Sequence, residues 1–217
     1  KRYQRYTHGI GFGDLNGDAR IDLLERVGWW EQPAQVRPGQ QWVFHPQLFA
    51  DAAAQMLVYD VDGDQLNDII TAWHCHRYGL VWHKQLRGAD GEIQWERRVI
   101  LPPEPDVNSK ELRISQLHAL ELVDMNGDGL QDVLTGKRFW AHGPTGDVEP
   151  NAPAVVYWFE LRRDAPQSAR FVPHLIDDNS GVGTQVGATD LNADGLPDVI
   201  VGNKKGIFVH LSGRAAK

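Results

Sequence analysis

Four stretches of this chain write the same acidic nine-residue loop: Asp14-Leu-Asn-Gly-Asp-Ala-Arg-Ile-Asp22, Asp60-Val-Asp-Gly-Asp-Gln-Leu-Asn-Asp68, Asp124-Met-Asn-Gly-Asp-Gly-Leu-Gln-Asp132 and Asp190-Leu-Asn-Ala-Asp-Gly-Leu-Pro-Asp198. Side-chain oxygens at the first, third, fifth and ninth positions, with the backbone carbonyl of the seventh, suit a hard divalent cation such as calcium. The expected ligands are Asp14, Asn16, Asp18, the Arg20 carbonyl and Asp22 in the first loop, and Asp60, Asp62, Asp64, the Leu66 carbonyl and Asp68 in the second. The third loop offers Asp124, Asn126, Asp128, the Leu130 carbonyl and Asp132, and the fourth Asp190, Asn192, Asp194, the Leu196 carbonyl and Asp198. Up to four structural calcium ions are therefore the expected cofactor. The plain alternative is a set of Asp/Asn/Gly turns without metal, but carboxylates so close together would then repel one another.

Such loops turn sharply, and glycine tolerates the positive φ this requires. Gly17, Gly63, Gly127, Gly129 and Gly195 meet that need, whereas Ala19, Gln65 and Ala193 stand where glycine is usual. Backbone strain is expected at those three positions. An EF-hand is excluded: it needs Glu at position 12 and flanking helices, and Thr71, Thr135 and Val201 hold that position in three loops.

The segments around the loops read as short alternating strands broken by Gly and Pro, with no amphipathic helix. The loops begin 46, 64 and 66 residues apart, a repeat of one supersecondary unit. A strand precedes each loop (8–15, 55–61, 117–125, 184–191) and another follows it (21–27, 69–73, 133–137, 199–203). A third carries aromatics at 29–30, 80–82, 155–158 and 207–209, and a fourth is seen at 42–48, 95–101 and 171–176. The last repeat lacks a fourth strand, and residues 3–7 have the character to supply it. The expectation is an all-β fold, a single β-propeller domain over 1–217 with four-stranded antiparallel blades at about 8–50, 51–101, 112–177 and 182–211. The ring is either closed by the N-terminal strand 3–7 or part of a larger propeller.

The formal charge of -7 reflects the loops, which hold 13 of the 29 acidic residues. Four bound dications would bring it to about +1, so neither a basic nor an acidic partner follows from net charge. No stripe of basic residues alternates with exposed aromatics, which disfavours nucleic acid. No apolar run is long enough to span a membrane. Cys75 is the single cysteine, so no intramolecular disulfide forms. The chain opens at Lys1 without Met, as a processed or trimmed sequence would.

The motif Asp-x-Asn-Gly-Asp-Gly-x-x-Asp followed by apolar residues, with Gly11-Phe-Gly-Asp14 and Gly187-Ala-Thr-Asp190 before it, resembles the FG-GAP or VCBS repeats of integrin-like, calcium-binding β-propellers. The resemblance spans nearly the whole chain. It implies a propeller fold with calcium in its loops, in modules that serve as adhesion domains, lectins, lyase scaffolds and lids. Gly28-Trp-Trp-Glu-Gln-Pro33 and Thr135-Gly-Lys-Arg138 are similar to a bacterial secreted branch, and more loosely to the propeller of fungal aldos-2-ulose dehydratase, a sugar-modifying enzyme.

Alternating strand direction sets the acidic loops on one face of the disc. Counting from them gathers five of the nine histidines, His8, His74, His76, His118 and His142, on the opposite face. Glu31, Arg77, Gln185 and Lys204 join them as expected ligand-binding residues at the channel mouth. Two uses are open. In one the face is a binding site for carbohydrate or protein on a secreted, periplasmic or cell-surface module, with other domains of a longer chain possible. In the other it is a sugar or uronate lyase or dehydratase site, with His8 or His118 as base, Lys137 and Arg138 holding an anionic group and Tyr78 donating a proton. Trp30, Trp82 and Trp158 in the third strand and Trp42 and Trp95 in the fourth read as inter-sheet packing. Trp29 and Trp140 fall outside that register and read as surface contacts.

Overall fold

Each acidic loop is a tight connection, and the residues on both sides of it pair as antiparallel strands. The computed structural model describes Tyr3, residues 7–106 and residues 108–213. Fifteen strands follow in order: β1 (Ile10–Gly13), β2 (Asp22–Glu25), β3 (Gly28–Glu31), β4 (Val43–Pro46), β5 (Gln55–Tyr59), β6 (Asp68–Ala72), β7 (Leu80–Arg87), β8 (Ile93–Leu101), β9 (Leu117–Val123), β10 (Asp132–Lys137), β11 (Val156–Ala165), β12 (Ser168–Asp177), β13 (Val186–Thr189), β14 (Asp198–Asn203) and β15 (Gly206–His210). No helix occurs among the described residues.

The strands form blades in chain order: β1 to β4, β5 to β8, β9 to β12, and β13 to β15. The fold is β-propeller-like, with β1, β5, β9 and β13 innermost. β1 packs on β5, β5 on β9 and β9 on β13. β1 also pairs with β5 in parallel at Ile10↔Gln55 and Gly11↔Met56, which joins the first two blades into one sheet. Glycine is required at that junction, because a Cβ on Gly11 would stand 2.2 Å from the Met56 carbonyl oxygen. The expected strand over 3–7 lies for the most part outside the described residues, so the closure it would provide is not described.

The core lies between blades. Ile70, Leu80, Trp82, Leu117, Leu120, Val133 and Phe159 form its largest cluster, between the second and third blades. Leu15, Leu24, Trp29, Phe49, Met56 and Ile69 fill the junction of the first and second. The buried Trp29 corrects the expectation that it contacts the surface. It pairs across strands with His45, as Trp82 pairs with Arg98 and Trp158 with His174. The rings of Trp29 and His45 stack at 4.1 Å, those of Trp158 and His174 at 4.3 Å, and the Arg98 guanidinium lies over Trp82. Trp29, not Trp30, is therefore the first-blade member of the repeated tryptophan position.

Polar ties between blades are partly repeated: Arg87 of β7 donates to the Asn16 carbonyl of the first acidic loop from the position that Arg163 holds in β11. Asn67 Nδ2 donates to the Asp14 carbonyl and Gln85 Nε2 to the Leu15 carbonyl, linking the first two blades. Arg163 of β11 donates to the Val61 and Asp60 carbonyls, linking the second and third.

Candidate functional site

The ninth residue of each acidic loop opens the second strand of its blade and is fully buried. Its carboxylate accepts two backbone amides, one from the second residue of the loop and one from the end of the third strand. Asp132 accepts Met125 N–H at 3.0 Å and Leu161 N–H at 2.8 Å. Asp22 does the same with Leu15 and Gln32, Asp68 with Val61 and Gln85, and Asp198 with Leu191 and Ser212. A carboxylate has about four lone-pair sites, so two amides leave it able to hold a cation as well.

At the loop's first position, Asp124 accepts the amides of Gly127, Asp128 and Gly129, which folds the loop back over its own carboxylates. Ala19, Gln65 and Ala193 take φ values of 64°, 70° and 62°, in the left-handed region. In the first, third and fourth loops the asparagine at position 3 donates its amide to the aspartate at position 5. Those three loops present an oxygen-rich donor set that suits calcium, and in the first of them the Arg20 guanidinium also pairs with Asp18. In the second loop a lysine is present instead: Lys84 Nζ donates to Asp62 and to Asp64.

At the other end of the inner strands the imidazoles converge. His8, from the segment before β1, lies with its ring 5.0 Å from that of His118 at β9 and 5.6 Å from that of His76. The His8 and His76 Nε2 atoms are 3.4 Å apart, and the His76 ring is 4.8 Å from that of His142. His142 Nδ1 meets Asp147 at 2.9 Å. His76 Nδ1 and His118 Nδ1 are buried and make no hydrogen bond, although the Asp147 carboxylate stands 3.7 Å from His76. Burial pushes His118 down to about 4, helped by Arg138 and the neighbouring histidines. It lowers His76 and His74 as well. These rings are therefore neutral near pH 7, the form that ligates metals and offers both a donor and an acceptor.

Ligand atoms of His8, Cys75, His76 and His118 lie within 4.8 Å of one another, as do those of His76, His142 and Asp147. Nitrogen with one sulfur suits a borderline-soft ion such as zinc. Burial pushes the Cys75 thiol up to about 12, so that sulfur is a thiol unless a metal displaces its proton.

Residues 182–209 match the family model of the FG-GAP repeat. The fourth blade is thus similar to an FG-GAP repeat. The other three blades share the acidic loop and buried ninth aspartate of this repeat, although the match itself covers only the last. FG-GAP repeats build propellers that commonly serve in binding, and no helix of this chain is long and apolar enough to cross a membrane among the described residues. No curated protein matches the chain.

The remaining expected residues scatter around this frame. Arg138 stays beside the imidazoles and influences both His76 and His118. His74 lies 3.8 Å from Asp51, and Arg77 is exposed and charges the surroundings of His74. Lys204 Nζ donates to the Trp140 and Ala141 carbonyls in the loop that also carries His142. Gln185 lies apart, in an open groove with Gln55 and Thr184. Tyr78 meets Glu149 and Arg113.

Two residues face elsewhere. Lys137 is 1% exposed and donates to Ser115 Oγ at 2.9 Å, so its ammonium points into the interior and cannot clamp a ligand at the mouth. Glu31 ends β3 beside the first acidic loop and pairs with His45 at 2.9 Å, on the acidic-loop side. It lines a cleft of about 450 Å³ between the first two blades, with Trp29, His45, Arg87 and Trp95. Sequence counting missed Asp147, which lies in a long connection without a register to count from. The signal available was its five-residue spacing from His142.

Proposed function

We propose that this chain is a calcium-pinned propeller module of an extracellular or periplasmic protein, and that it binds carbohydrate at the histidine-lined mouth opposite the acidic loops. The single observation behind this reading is the convergence of His8, His118 and His142 on His76, with Asp147 against His142 and His76. The neutral imidazoles of His76 and His118 beside one carboxylate and the Arg138 cation offer paired donors and acceptors, the chemistry that recognises sugar hydroxyls or a uronate. Calcium would be structural, held by the first, third and fourth loops, and the weak affinity expected of few-ligand loops suits extracellular calcium levels.

The test is calorimetric titration with neutral and uronate oligosaccharides. His76→Ala and His118→Ala are expected to weaken binding at least tenfold, while Glu31→Ala in the inter-blade cleft leaves it unchanged. Unaltered affinity in both histidine variants would refute the assignment of the mouth.

A second reading, a sugar lyase or dehydratase, is favoured by the four donor atoms of His8, Cys75, His76 and His118 within 4.8 Å. A zinc ion held by His8, Cys75 and His76 would keep a position open and supply Lewis acidity when bound, with His118 left free of the metal. His118, neutral at pH 7, would take a proton and Arg138 would hold the substrate's anionic group. Appearance of an ultraviolet-absorbing unsaturated sugar, lost in His118→Ala, separates this reading from binding alone.

A further inference from the structure

We infer that Lys84 is the cation of the second acidic loop, a tethered ammonium standing where the other three loops take calcium. Three observations carry this.

The first is position. Lys84 is on β7 immediately before Gln85, whose amide reaches the ninth aspartate, Asp68. The residues in that place in the first and third blades are Glu31 and Glu160, and in the fourth Leu211, as fixed by the amides of Gln32, Leu161 and Ser212. Only the second blade sends a cation here from its third strand, and only there is the pair buried: in the first loop Arg20 reaches the same atom of Asp18 from within the loop, on a partly exposed side chain.

The second is charge. The second loop has aspartate at position 3, where the others have Asn16, Asn126 and Asn192. It thus holds four carboxylates against three in each of the others. Asp62 is 2% exposed and Lys84 7%, so the extra charge and its counter-charge are both buried. A buried carboxylate without a partner is costly, and a paired one far less so.

The third is the acceptor. In the other loops the position 3 amide donates to Oδ2 of the position 5 aspartate, at 2.7, 3.0 and 3.1 Å. In the second loop Lys84 Nζ donates to the same atom of Asp64 at 2.7 Å and also to Asp62. Lysine therefore takes over the bond that asparagine makes and neutralises one charge besides. Oxygens of Asp60, Asp62 and Asp68 do lie within 4.8 Å of one another, as a metal site would have them. A dication there would sit against the buried ammonium, and the second loop does not fit calcium.

The inference rests on the reading that the other loops do bind calcium, and native mass spectrometry of the chain in saturating calcium separates the two. Three ions are expected for the wild type, and Asp64→Asn is expected to keep all three. Asp62→Asn/Lys84→Met, which gives the second loop the chemistry of the others, is expected to take a fourth. Four ions in the wild type, or the loss of one in Asp64→Asn, would overturn the inference, as would no gain in the double variant. A wild-type count of zero would overturn the calcium reading of the other loops. The double variant would then still judge the lysine, by gaining one ion or none. Should that variant fail to fold, the wild-type and Asp64→Asn counts decide.

Discussion

Trp29 and His45 lie face to face across neighbouring strands, with ring planes 12° apart. The same cross-strand position recurs as Trp82 with Arg98 and Trp158 with His174, so each complete blade carries one tryptophan plated by a cationic or imidazole side chain. Trp29 also packs among Leu15, Leu24, Phe49 and Ile69. Trp29→Ala is expected to cost roughly 3–5 kcal/mol. Trp158, half-buried, should cost about half as much. Urea unfolding of the two variants checks the order.

The blade plan was legible in the sequence because the loops act as fixed points. The strands preceding and following them, such as Gln55–Tyr59 and Asp198–Asn203, fall within a few residues of the expected ranges. Trp29 was misplaced because Gly28-Trp-Trp-Glu31 offers two adjacent tryptophans. The strand pairing Leu24↔Trp29 and the amide of Gln32 on Asp22 fix which one is in register. Lys137 was misplaced because its blade position does not reveal which face of β10 it occupies; the ladder turns it to Ser115 and the interior. Lys84 gave no local signal at all. Its partners lie 20 and 22 residues earlier, and the pairing exists only once β6 and β7 are antiparallel.

Calcium removal provides the next expectation. Excess chelator should lower the melting temperature markedly, since the carboxylates of Asp124 and Asp128 and their first- and fourth-loop counterparts lose their counter-ion. Asp132→Asn should destabilise even in chelator, by about 2–4 kcal/mol, because an amide group turns N–H toward at least one of the Met125 and Leu161 amides. Thermal unfolding with and without calcium separates the ion's contribution from that of the buried aspartate. Unchanged unfolding in chelator would refute the calcium reading.

Backbone strain can be relieved one loop at a time. Ala19 and Ala193 are exposed and hold φ of 64° and 62°, where a Cβ costs roughly 1–2 kcal/mol. Ala19→Gly and Ala193→Gly should each raise stability by about 1 kcal/mol, after the extra freedom of glycine in the unfolded chain is deducted. Differential scanning calorimetry in saturating calcium measures the gain. Loss of stability in both would refute the strain argument.

Acid should weaken the fold through His83. Its ring is buried under Phe49, its Nε2 bonds the Phe49 carbonyl at 2.7 Å, and burial pushes it down to about 4 from an ordinary 6.5. The folded state favours the neutral ring. Its contribution is intact above pH 6.5 and is lost as pH falls toward 4, where the unfolded chain takes up the proton first. The full effect is roughly 3 kcal/mol. Stability measured across that range should slope downward with acidity, and His83→Gln, which keeps a donor for Phe49, should flatten part of the slope.

The clamp that ties each loop to its third strand begins and ends inside one blade: Asp22 reaches only Leu15 and Gln32, and Asp132 only Met125 and Leu161. Of the ties across blades, one is repeated, Arg87 and Arg163 each reaching the acidic loop of the blade before, and the others, Asn67 and Gln85, belong to one joint. A duplicated blade would thus bring along everything needed to hold its own shape and one arginine arm for the blade before it, but not the contacts that tell one neighbour from another. In such a chain copying supplies the bricks, and a handful of later substitutions along the seams writes the order in which they are laid.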